Sequence, residues 1–218
     1  MALPELCHVF LFVDADGAEI RQLDSLGLVP TYRRRHPGQG TANVCYCFDN
    51  AFLELLWVVD QQELRGCALS RSGWTERSNW TQSQANPFGI ALRGDALAFP
   101  TWDYQPDYLP PGISIPVAVA SDDPAVPFLF RSPGTKRPDQ EPTDRSGTRQ
   151  TSSGFKEIQD LELIMTEKVR TNPALTSLEQ RGLLTLRSGT TPGLVLTLSR
   201  ANGERPRRLS LPDIKWLD

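Results

Sequence analysis

The chain is poor in histidine, with two in 218 residues, His8 and His36. That scarcity works against a metal centre built mainly from imidazoles. Four cysteines, at positions 7, 45, 47 and 67, have no CxxC spacing and read as free thiols in a reducing compartment. Long apolar runs are missing too: none approaches the roughly 18 residues that span a bilayer. The first residues, Met1-Ala2-Leu3-Pro4-Glu5, lack the basic and then apolar order of a secretory signal, so a cytoplasmic protein without membrane passage is expected. Nor is there an excess of charge of one sign. The 23 Lys and Arg against 26 Asp and Glu leave −3, which gives no general attraction to phosphate backbones and removes nucleic acid from the expected partners.

What is present is a regular order of elements. A hydrophobic content of 39% over this length suits one compact body, a single domain over residues 1–218. Residues 6–13 read as a strand. Gly17 to Leu26 places Ile20, Leu23 and Leu26 at helical spacing, with Asp16 as N-cap and Gly27 as stop. Strands follow at 28–34, 41–48 and 51–58, the last two joined by Asp49-Asn50, so residues 5–60 form a βαβββ module. A helix over 61–71, a polar loop rich in tryptophan over 73–86, and strands at 88–93, 113–119 and 126–131 make up a crossover and middle section, residues 61–131. Residues 132–154 have no apolar period and read as a mobile loop over the body. From 160 to 217 the first order returns: a strand at 161–166, a helix at 173–181 with Pro173 at its start and Gly182 past its end, and strands at 183–187, 193–198 and 207–211. The expected fold is α+β, with βαβββ modules forming a cupped, partly open mixed β-barrel and helices outside.

Chemistry concentrates in the first module. His8 stands on one apolar strand and Glu54 on another, and a carboxylate inside Phe52-Leu53-Glu54-Leu55-Leu56 is costly unless paired, hydrogen-bonded or bound to a cation. Strand alternation puts Phe52 and Leu56 on the face of Glu54, and Leu53 and Leu55 on the other. His8, or an arginine such as Arg93 or Arg131, is the available partner. Between these strands, His36-Pro37-Gly38-Gln39-Gly40-Thr41-Ala42-Asn43 is a glycine-bearing loop that either supplies turn geometry or presents His36, Gln39 and Asn43 to a ligand. Trp102, Tyr104 and Tyr108 lie in irregular chain and either cap a core or wall a pocket. The remaining tryptophans, Trp74 among them, read as packing. Arg33-Arg34-Arg35 reads as a solvated edge, and Cys45 and Cys47 as small core residues on one strand face. No base, nucleophile and orienter are brought together by the cysteines.

His8, the His36–Asn43 loop and the Phe52–Trp57 strand, set in a βαβββ order, resemble the glyoxalase-like domain of the vicinal oxygen chelate superfamily. The resemblance covers residues 5–60 and weakens afterwards. It implies paired modules curled around a small polar or oxygenated ligand, and, in metal-dependent members, a divalent ion held by a histidine on the first strand and a glutamate on the fourth. Carried over, those positions are His8 and Glu54, with Glu162 as the third ligand if the last unit repeats the first. Imidazole and carboxylates suit Zn, Mn, Ni or Fe, yet one strand histidine is half a site, so no complete site is expected. Two functions follow from the resemblance: metal-assisted lyase, isomerase or dioxygenase chemistry, or metal-free binding or sequestration of a small molecule, with homodimerisation an option for either.

Overall fold

The computed structural model of the chain describes residues 4–15, 17–95, 97–142 and 147–218. Its first sheet has eight strands in the order β2-β3-β4-β1-β5-β8-β7-β6. These are β1 (Glu5–Phe12), β2 (Tyr32–His36), β3 (Thr41–Cys47), β4 (Phe52–Val58), β5 (Phe88–Arg93), β6 (Thr101–Tyr104), β7 (Ile115–Ala118) and β8 (Phe128–Arg131). β1 pairs with β4 in parallel, and β5 pairs with β8 in parallel, so two halves of like pairing meet at the antiparallel β1–β5 seam. The second half of the cup is therefore the middle section, which had been expected only to link two modules. β2 and β6 are edges of this sheet, which curls without closing into a barrel.

Alternation sorts the side chains cleanly. Val9, Leu11, Val44, Tyr46, Leu53, Leu55, Ile90 and Leu129 face the main core, while Phe10, Phe12, Leu56, Ala91, Phe128 and Phe130 belong to a separate apolar cluster on the concave face. Helix α1 (Ala18–Ser25) buries Ile20 and Leu23 in the main core. Its expected cap, Asp16, lies outside the described residues. After β4, Asp60 caps α2 (Gln61–Gly66) by accepting from the backbone N–H groups of Gln62 and Glu63. Two short helices, α3 (Trp74–Ser78) and α4 (Trp80–Ser83), fill the stretch expected to be a loop.

The last third of the chain departs from its expected pairing. β9 (Phe155–Met165), α5 (Glu167–Arg170), α6 (Pro173–Gln180), β10 (Thr185–Ser188), β11 (Gly193–Arg200), β12 (Arg207–Leu211) and β13 (Lys215–Leu217) follow the anticipated order with one strand added. The second sheet, however, runs β10-β9-β11-β12-β13. In the first module the opening strand pairs with the last; here β9 pairs with the next two strands instead. Element order alone does not set partners, and this unit is not a repeat of the first. It packs into the same main core through Leu161, Leu163, Leu175, Leu178, Leu194 and Leu209.

The segment 132–154 was expected to be mobile for want of an apolar face. Its described residues make long-range contacts: Gln150, fully buried, accepts from Val29 N and donates to Val29 O, Thr31 Oγ1 donates to Thr148 O, and Arg149 pairs with Asp49. Arg137 reaches Glu157 on β9 at 2.6 Å. Of the segment's described residues, the cup wall takes only Ser132 and Pro133.

Candidate functional site

The concave face of the first sheet encloses a cavity of about 220 Å3. Its floor follows from register. On β1 and β4, His8 sits opposite Phe52 and Phe10 opposite Glu54; on β3, Cys45 sits opposite Glu54. Tyr32, Arg34 and His36 border it from β2, and Phe128 and Phe130 from β8. Trp74 from α3, together with Tyr104 and Tyr108, closes the remaining wall.

Glu54 is 6% exposed and His8 8%. His8 Nε2 lies 3.6 Å from Glu54 Oε2, within ion-pair reach but longer than a hydrogen bond. The imidazole stacks on Phe52 with centroids 4.2 Å apart and meets the Phe130 ring edge-on at 5.3 Å. Burial, with His36 and Arg93 nearby, drives the His8 pKa down to about 3. Burial also lifts Glu54 to about 7, against the pull of the Asn43 hydrogen bond and the Arg34 charge. Near neutrality the imidazole is thus neutral, and the carboxyl is divided between its two forms.

The loop before β3 delivers the polar groups. Gly38 and Gly40 have φ of 76° and 72°, and a Cβ on Gly40 would stand 2.2 Å from Asp60 O, so this turn requires glycine. Glu63 Oε2 accepts from the N–H groups of Gly38 and Gly40 at 3.0 and 3.1 Å. Gln39 between them is buried: its Nε2 donates to Thr41 Oγ1 at 2.7 Å, and its Oε1 accepts from Tyr104 and Tyr108, each at 3.2 Å. His36 Nδ1 lies 2.9 Å from Thr41 Oγ1. Asn43 Nδ2 donates to Glu54 Oε1 at 2.6 Å while its Oδ1 accepts from Arg34 N at 3.0 Å. Burial pushes His36 down to about 4, Arg34 adding to the effect.

Of the residues expected from sequence, His8, His36, Gln39, Asn43 and Glu54 share this cavity, and Trp102, Arg131 and Glu162 are not among its lining residues. Trp102 lies under the Arg71 guanidinium, 4.5 Å from ring centre to carbon. Arg131 ends β8. Glu162 is on the second sheet, bound by Arg187 at 3.1 Å and by Arg208, which hold its carboxyl below the ordinary value despite partial burial. The alignment that made it a ligand fails with the repeat. Tyr32, Arg34 and Trp74 also line the cavity, although Arg34 reads from sequence as a solvated edge and Trp74 as packing, and Tyr104 and Tyr108, which read as either core caps or pocket walls, line it too. Period-2 alternation on β2 places Tyr32, Arg34 and His36 on one side and was signal enough for the first two.

A resident ion does not fit these donors. Opposite His8 and Phe10, β5 places Ala91 and Gly89, neither a metal donor, and a Cβ on Gly89 would stand 2.0 Å from the Phe10 ring, so phenylalanine fills the place from which a ligand on that strand would project. One oxygen of Glu54 is already engaged by Asn43. Among the described residues no group of three His, Cys, Asp or Glu side chains is placed to hold a metal.

Comparisons with known proteins bear on the first part of the chain and on the fold. Residues 6–99 match the family model of the glyoxalase-like domain. No curated protein matches the chain. A hypothetical protein from Staphylococcus aureus has a similar structure at 12% identity and a TM-score of 0.53, over 87% of this chain and 88% of that one. A mutant 4-hydroxymandelate synthase from Streptomyces coelicolor aligns over all of this chain and 65% of its own, at 13% identity and a TM-score of 0.46. Among the described residues no helix is long and apolar enough to cross a membrane. Over residues 6–99, somewhat less than half of the chain, the sequence is similar to the glyoxalase-like domain.

Proposed function

We propose that the cup binds a small oxygenated organic molecule about the size of one substituted ring, using protein groups alone. The observation that carries this is a buried carboxyl, held by Asn43, facing a cavity walled by aromatic rings. An apolar cavity of about 150 Å3 takes benzene, so 220 Å3 leaves room for a ring with one or two substituents. The rings gain stacking and apolar burial, and Glu54 with Asn43 orients a hydroxyl or similar donor. A phenol hydroxyl donating to Glu54 prefers the carboxylate, because a charge-assisted hydrogen bond is the stronger one. Affinity for 4-ethylphenol, titrated calorimetrically with chelator present, is therefore expected to rise as pH passes about 7. Glu54→Gln flattens that profile. No measurable binding at any pH, or an affinity that falls through this range in the unaltered protein, would overturn the proposal.

The titration of Glu54 near neutrality favours a second reading, in which the carboxylate takes a proton from carbon beside a carbonyl and returns it. Solvent deuterium would then enter cyclohexanone in the presence of the protein and not of its Glu54→Gln variant. Equal incorporation in both would exclude that role.

A further inference from the structure

A regular strand turns consecutive side chains to opposite faces, yet Cys7 and His8 share the concave side of the first sheet: Cys7 packs in the apolar cluster with Phe10 and Phe12, and His8 lines the cup. A bulge makes this possible. Leu6 pairs with Leu92 and His8 with Ala91, so Cys7 is one residue too many on β1 between two consecutive residues of β5. The thiol is thereby brought beside the ring, with Cys7 Sγ 3.5 Å from His8 Nδ1. Phe52, stacked at 4.2 Å, and Phe130, edge-on at 5.3 Å, hold the ring in that orientation. Burial raises the Cys7 pKa, so the thiol keeps its proton, while Ser132 and Arg93 act on the sulfur as donors and leave the S–H for the imidazole nitrogen. In a neutral imidazole one nitrogen accepts and the other carries the proton. With Nδ1 accepting from Cys7, the proton is on Nε2, which lies 3.6 Å from Glu54 Oε2.

Both of those atoms are free to meet a ligand. Asn43 takes Oε1 of Glu54 and leaves Oε2, and among the described residues the His8 ring hydrogen-bonds only the thiol. Unlike the indole nitrogens of Trp74 and Trp102, neither atom is sealed within the protein. We infer that Cys7 is a positioning residue that fixes His8 as a hydrogen-bond donor through Nε2, and that the cup thereby recognises a hydroxyl, whose oxygen accepts from His8 while its proton goes to Glu54 Oε2. The inference rests on the binding role proposed above and adds a second contact to the same ligand oxygen. A phenol or alcohol serves both atoms at once, whereas an ether oxygen accepts from His8 and offers Glu54 nothing.

Nitrogen NMR of protein labelled at its two histidines reads the tautomer directly, with the His8 signals assigned by difference from His36→Gln. In the unaltered protein without ligand, His8 is expected to carry its proton on Nε2 and none on Nδ1. Binding of 4-ethylphenol moves the Nε2 proton downfield, and ethylbenzene, which brings the ring without the hydroxyl, does not. Cys7→Ala lets both tautomers appear and weakens 4-ethylphenol binding about fivefold, the worth of one net hydrogen bond. Cys7→Ser keeps a donor at that place and restores the single tautomer together with most of the affinity. A thiol that merely packs would leave the tautomer unchanged in Cys7→Ala, and the two measurements on the unaltered protein stand whether or not the variants fold. His8 protonated on Nδ1 in the unaltered protein, a tautomer that Cys7→Ala leaves unchanged, a Cys7→Ser variant that behaves like Cys7→Ala, or an Nε2 proton that bound 4-ethylphenol does not move would overturn the roles of Cys7 and His8 while leaving the cup as a binding site. Failure of 4-ethylphenol to bind would overturn the binding role and this inference with it.

Discussion

Glu54 keeps its proton to higher pH when folded than when unfolded, because burial disfavours the charge more than Asn43 and Arg34 favour it. Folded protein then binds more protons between the usual carboxylate value of 4.5 and about 7. The contribution of this group to stability is full below 4.5 and is lost as pH rises through 7, on the order of 3 kcal/mol across the window. His8 and His36 act in the opposite direction: both are held neutral by burial, so their contribution is present above 6.5 and lost as pH falls towards about 3 and 4. The two slopes oppose each other in the unaltered protein. They separate in a difference measurement, where Glu54→Gln is expected to gain melting temperature relative to the parent as pH rises from about 5 to about 8. A gap that stays constant or narrows would mean that the carboxyl is already ionised in the fold. Why His8, Asn43 and Glu54 were legible is simple: each is a polar residue on a strand face, and alternation fixes where that face looks. Tyr104 sits at the end of a short strand and Tyr108 in irregular chain, where no period indicates a direction.

At the scale of elements, Arg77 ties the second half of the cup to the segment that crosses over to it. It is fully buried, and its guanidinium donates to five backbone carbonyls: Ser72, Asn86, Val126, Ser121 and Asp123, at 2.7 to 3.2 Å. Burial lowers its pKa to about 9, while Asp123, Glu76 and Asp122 oppose the shift. Arg77→Leu strands those carbonyls without donors and is expected to cost at least about 3 kcal/mol in urea unfolding; a loss under about 1 kcal/mol would show that water or rearrangement replaces it. This residue also explains the helical turns α3 and α4 in a stretch that reads as loop, since the partners of Arg77 lie as far as 49 residues away and leave no local pattern. The segment after β8 makes the same point. Gln150 and Asn50 each clip a distant backbone, Gln150 at Val29 and Asn50 at Ile158, both by donating and by accepting. Composition reports apolar faces and is silent on such clips. Trypsin is therefore expected to spare Arg137 and Arg149 in the folded protein, and prompt cleavage at both would restore the mobile reading.

Over the whole molecule, two sheets share one core, and only the first carries the cup. The α+β class and the first module were readable because strong alternation and one amphipathic helix specify them locally. The pairing of the middle strands with the first module, and the different pairing of the last unit, depend on contacts between distant segments, so the element order there pointed to the wrong repeat. That error carried Glu162 into a site it does not approach. What remains is a cup with a buried carboxyl among aromatic rings, proposed above to take an organic ligand, and no group of three metal-donor side chains among the described residues. The most direct test of this account is calorimetric titration of the unaltered protein with 4-ethylphenol, run once with a chelator and once with added zinc or manganese. Binding with chelator present, and a dissociation constant that the metals change by less than about twofold, is the expected result. Binding that appears only with metal, or is abolished by the chelator, would contradict it.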